Sequence, residues 1–116
     1  MGCKVVFHLD WNDPDRMNMA LNNILNLLKD PFGKDAQVCV LANGQAVRLF
    51  EKRSALSTDA RIAELRDKGL RLLLCNNSLT GLHIGRDELI EGFEVVPAGI
   101  VELVRLQQDG FAYIKP

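Results

Sequence analysis

Three near-continuous aliphatic runs, separated by stretches of helical periodicity, constrain this chain more than any other feature. They are Val5-Val6-Phe7-His8-Leu9, Val38-Cys39-Val40-Leu41-Ala42 and Leu70-Arg71-Leu72-Leu73-Leu74-Cys75. A strand with one wet face alternates apolar and polar residues, whereas a strand buried on both faces reads as continuous. Phe93-Glu94-Val95-Val96 and Phe111-Ala112-Tyr113-Ile114 are two shorter candidates. Strands that alternate with helices form a parallel sheet covered by those helices. The expected architecture is therefore α/β: one mostly parallel five-stranded sheet, doubly wound, with helices on both faces and right-handed crossovers. A strand order of 2-1-3 would make the first and third strands neighbours.

The helices can be placed from their ends. Asp13-Pro14 is a strong start, with Asp as N-cap and Pro at the first helical position. Met17, Leu21, Ile24, Leu25 and Leu28 form one apolar face, Asn18, Asn22 and Asn26 the other, and Pro31 ends the helix near Lys29-Asp30. A second helix starts near Ser57-Thr58-Asp59, turns Ile62 and Leu65 inward and stops at Lys68-Gly69. A third runs from Gly99 to Gln108, with Ile100, Leu103 and Val104 expected to be buried. Gln45 to Arg53 is periodic but short and reads as weakly helical. The 116 residues fit one domain spanning residues 1–116, with no linker or repeat.

Charge and cysteine usage narrow the function classes. Fourteen basic against fifteen acidic residues give a formal net charge of −1, without the basic excess that displaces counterions from phosphates, so no nucleic-acid partner is expected. No apolar stretch approaches the roughly 20 residues of a membrane span, and no membrane partner is expected. The opening residues read as a strand rather than a secretory signal, and Val6 stands where a myristoylation pattern wants Ser or Thr. Cys3, Cys39 and Cys75 are odd in number and contain no C-x-x-C pair, which argues against a disulfide framework or a structural zinc site. The expectation is a cytoplasmic, reduced domain with no metal and no cofactor.

Ligands of doubly wound sheets bind beyond the carboxyl ends of the strands, where strand order reverses. Those ends here carry His8, Asp10 and Trp11; Asn43 and Gly44; Cys75, Asn76, Asn77 and Ser78; and Gly99. Cys75 closes an aliphatic strand and is followed by residues favoured at helix N-caps, so a short helix through Leu79 is expected. A thiol placed there meets unpaired N–H groups that favour the thiolate, the form that accepts and transfers sulfur. The alternative is a small buried hydrophobe that ends a strand, the reading that suits mid-strand Cys39. His8 either takes the thiol proton or pairs with the thiolate as a catalytic partner, or it points into a helix-covered face and is hydrogen-bonded there. Asp10 can cap the turn into the first helix, and Trp11 can be a pocket wall or an oligomer contact. Asn43-Gly44 is a turn dipeptide that also admits close approach of a ligand, and Gly99 can present free N–H groups or simply make a sharp turn. His83, in the loop from Gly81 to Gly85, reads as a surface residue.

Cys75-Asn76-Asn77-Ser78-Leu79, Asp87-Glu88-Leu89-Ile90-Glu91-Gly92, Glu94 to Leu103 and Gln107 to Pro116 together resemble the DsrE/DsrF-like family. The opening Val5 to Asp10 is similar to its small stand-alone archaeal and bacterial members. The resemblance implies a flavodoxin-like sheet assembled into homotrimers or hexamers. It also implies a sulfur-carrier or sulfurtransferase-type function with a persulfide on Cys75, exchanged with a sulfur donor or acceptor protein. Many stand-alone members have a His-Gly pair after the second strand where this chain has Asn43-Gly44. The competing reading is a non-catalytic oligomeric module that binds a small molecule.

Overall fold

The computed structural model describes residues 2–116. Five strands, β1 (Lys4–Leu9), β2 (Gln37–Ala42), β3 (Arg71–Cys75), β4 (Phe93–Val96) and β5 (Ala112–Ile114), form one sheet in the order β4-β3-β2-β1-β5. Every pairing is parallel. The helices are α1 (Pro14–Lys29), α2 (Ala60–Asp67), α3 (Asn76–Gly81) and α4 (Gly99–Gln108), with 3₁₀ segments at Gly44–Phe50, Ala55–Thr58 and Arg86–Glu88.

The order corrects the expected 2-1-3 arrangement. β2 lies between β1 and β3, so the first and third strands are not neighbours. Each of the first three crossovers steps one strand further along the sheet, and the last returns across it to place β5 beside β1. Aliphatic runs report burial on both faces but not which strand lies alongside. α1 starts and ends as expected: the Asp13 carboxylate accepts from the N–H groups of Asp15 and Arg16. Asp59 caps α2 in the same way by accepting from Arg61 N–H.

The two faces of the sheet are covered unequally. Val5, Phe7 and Leu9 pack with Met17, Leu21 and Ile24 of α1, Ile62 and Leu65 of α2, and Leu79 of α3. On the opposite face Val6, Cys39, Leu41 and Leu73 meet only Leu103 and Leu106 of α4, with Phe111. Full burial of one such aliphatic side chain contributes about 1.5–3 kcal/mol. Ile100 and Val104, expected inside, are 65% and 47% exposed. The stripe of α4 that faces the sheet is Gly99, Leu103 and Leu106, and both stripes are apolar, so periodicity could not choose between them. No helix among the described residues is long and apolar enough to cross a membrane.

Candidate functional site

The loops leaving β1, β2 and β3 turn to the face of α1, α2 and α3, whereas the loop leaving β4 turns to the face of α4. The reversal therefore falls between β3 and β4. Adjacent strands whose connections part in this way leave a crevice at their carboxyl ends. Cys75 is the last residue of β3 and pairs with Val96, the last residue of β4. The thiol stands at the switch point.

Cys75 is the N-cap of α3 and is 5% exposed. Its surroundings are polar on the side of the sulfur. The N–H groups of Gly99, Ser78 and Asn77 and the Ser78 hydroxyl lie near enough to favour the thiolate, although none makes a regular hydrogen bond to the sulfur. Those of α3 act as a loose donor field rather than as a regular side-chain cap. Ser78 Oγ accepts a 2.7 Å hydrogen bond from Gly44 N–H, which leaves its own proton free for the sulfur. Burial pushes the Cys75 thiol up, but these donors outweigh it and hold it below its ordinary value. Cys39 is the contrast: burial among aliphatic groups pushes its thiol up.

Gly99 sits where a side chain would be crowded. A Cβ built on it would lie 3.1 Å from Asn43 Cβ and 3.3 Å from both Cys75 Cβ and Leu41 Cδ2. Its lack of a side chain brings the start of α4 against the ends of β2 and β3, and so brings its N–H to Cys75. Gly44 has φ +58°, a left-handed conformation that glycine adopts without strain.

His8 does not hydrogen-bond to Cys75. One ring nitrogen, Nδ1, is 2.6 Å from Tyr113 Oη, and the other, Nε2, is 2.7 Å from Asn43 Oδ1. The Asn43 carboxamide thus stands between His8, on its β1 side, and Cys75, on its β3 side. Asp10 forms an ion pair with Lys115, whose ammonium holds its carboxyl below the usual carboxylate range. Trp11 is 62% exposed and lines none of three surface clefts, which lie beside α1, beside α2 and around His83. Asn76 is half-buried in the first turn of α3, and Asn77 is exposed. His83 is exposed, at φ 56°. Tyr113 was not singled out by sequence. Its role depends on β5 pairing with β1 in a register that sets it opposite Val6, on the face that carries His8.

The largest of these clefts, about 580 Å³, lies elsewhere, between α1 and the segments around Arg48–Asp59. Arg48, Arg53 and Arg61 line it together with Asp15, Glu51 and Asp59. Cys75 lines none of the three.

The sequence model of the DsrE/DsrF-like family matches residues 4–116. Among solved structures, a protein of unknown function from Methanobacterium thermoautotrophicum superposes with a TM-score of 0.88 at 33% identity, over 98% of this chain and 99% of that one. The ychN protein from E. coli gives 0.76 at 15% identity over the whole of both chains. A conserved protein of unknown function from Bacteroides thetaiotaomicron gives 0.71 at 17% identity, over 97% of this chain and 94% of that one. The last two identities speak to the fold alone. No curated protein matches this chain.

Proposed function

The chain belongs to the DsrE/DsrF-like family, and on that premise we propose that it is a sulfur carrier whose Cys75 holds one sulfane sulfur as a persulfide. The observation that carries this reading is the place of the Cys75 thiol at the switch point of the sheet, paired with the end of β4 and at the start of α3, where neighbouring N–H and O–H groups lower its pKa. The Cys75 thiolate attacks the outer sulfur of a donor persulfide. A new S–S bond forms on Cys75, the donor's S–S bond breaks, and the donor leaves as a thiolate. Delivery repeats the exchange, with an acceptor thiolate attacking the outer sulfur and Cys75 leaving. Neither step changes the overall oxidation state, so no cofactor is needed. A reducing compartment such as the cytoplasm suits this chemistry.

The carrier acts as a homo-oligomer, formed through the outward stripe of α4. Ile100, Val101 and Val104 on that helix are exposed. A grouped apolar surface of this kind is characteristic of a contact between chains.

The test is intact-mass measurement after incubation with a low-molecular-weight persulfide. A one-sulfur adduct that a reductant removes and Cys75→Ser abolishes is the expected result. An unmodified Cys75 overturns the carrier reading. The cleft beside α1 favours the second reading, a small-molecule binding module, which predicts an unmodified protein that co-purifies with a ligand.

A further inference from the structure

We infer that Tyr113 and His8 are positioning residues that fix the orientation of the Asn43 carboxamide, so that its NH₂ group, and not its carbonyl, faces the Cys75 site. An amide oxygen can only accept, so the 2.7 Å contact between His8 Nε2 and Asn43 Oδ1 requires a proton on Nε2. In the neutral ring Nδ1 is then a bare acceptor, and the Tyr113 hydroxyl at 2.6 Å donates to it. The ring is held at both nitrogens. Asn43 directly follows the last residue of β2, with His8 on β1 to one side and Cys75 on β3 to the other. With Oδ1 turned to β1, the NH₂ is turned to β3, where Asn43 Cβ and Cys75 Cβ flank the same point beside Gly99. The NH₂ has no protein partner among the described residues. Every other group directed at the sulfur is a donor, and a carbonyl turned toward it would oppose them.

The inference deepens the carrier reading: the outer sulfur of a persulfide on Cys75 is an anion, and the Asn43 NH₂ is the donor available to it. The opposite tautomer, with the proton on Nδ1, would flip the carboxamide and present oxygen to the sulfur. The experiment therefore reads the tautomer directly, independently of any sulfur transfer. ¹⁵N spectra of the neutral His8 ring are expected to show a protonated Nε2 and a bare Nδ1; the reverse overturns the inference. Tyr113→Phe removes one hydroxyl and is expected to mix the two tautomers; a spectrum unchanged by it excludes Tyr113 from the device.

Alkylation of Cys75 as a function of pH supplies the second readout. His8→Ala and Asn43→Ala are each expected to raise the titration midpoint by about one pH unit, the effect of one hydrogen bond to a charged group. His8→Gln places an amide N–H where Nε2–H stood and is expected to keep the wild-type midpoint. If it behaves as His8→Ala does, the ring acts by itself and the positioning role is wrong. A protein that takes up no sulfur yet shows the expected tautomer and midpoints sinks only the carrier reading.

Discussion

Gly99→Ala tests the packing of the site and its electrostatics together. The new methyl would stand 3.1 Å from Asn43 Cβ and 3.3 Å from Cys75 Cβ and Leu41 Cδ2, all tighter than ordinary carbon contacts near 3.5–4.0 Å. Leu41 Cδ2 can rotate away. The two Cβ atoms cannot, because each is fixed to the backbone at the end of a central strand. Relief must come from α4, whose first turn would lift off the sheet and draw the Gly99 N–H away from the Cys75 sulfur. Overpacking of this kind costs about 1–3 kcal/mol. Alanine's better helix propensity and smaller unfolded-state entropy return about 0.5–1 kcal/mol, leaving a net loss of up to about 2.5 kcal/mol. With a urea slope of about 2 kcal/mol/M, a loss in the middle of that range lowers the unfolding midpoint by about 0.6 M. The Cys75 alkylation midpoint should rise in the same protein, because a donor has been withdrawn. A variant that unfolds at the wild-type urea concentration and titrates as wild type would refute the claim that the bare α-carbon of Gly99 seats α4 at the thiol.

Three further expectations follow from the same geometry. Because folding lowers the Cys75 pKa, its thiolate contributes stability that is fully present above the unfolded value of about 8.5 and is lost as pH falls through the folded one. The stability of wild type relative to Cys75→Ser should therefore grow as pH is raised toward about 8.5 and level off above it in denaturant titrations; a difference that shrinks would contradict the sign. Asp13→Ala removes the acceptor for two N–H groups of α1 and should lower unfolding stability by about 1 kcal/mol, read by thermal or urea melts. Ile100→Asp combined with Val104→Asp places charge on the outward stripe of α4. Light scattering should then report the 12.9 kDa monomer, where the wild type gives a multiple of it; a monomeric wild type would refute the proposed contact.

The three central strands can be read from the sequence because each is buried on both faces and so has no polar alternation to confuse it. The ends of α1 and α4 are equally readable, since Asp13-Pro14 and Gly99 signal their own local geometry. Strand order is a different kind of information: the Val5-Val6-Phe7 run of β1 is apolar whether β2 or β3 lies beside it. The same limit misplaced part of α4: Leu103 is buried as expected, but Ile100 and Val104, equally apolar, face outward while Leu106 faces in. Cys75 stood out because a strand end followed by Asn-Asn-Ser is a local pattern. The contacts of Tyr113 with His8, and of Gly44 with Ser78, join residues 105 and 34 positions apart, and no local pattern announces them.

A single helix, α4, both roofs one side of the sheet and lends the sulfur one of its dipoles. The thiol is consequently a built-in gauge of whether that roof is seated: anything that prises the helix loose, from a cavity beneath Leu103 to a binding event on its outer surface, must register as a less acidic, slower-reacting sulfhydryl. Loosening of this one helix should therefore be legible in the chemistry of the sulfur.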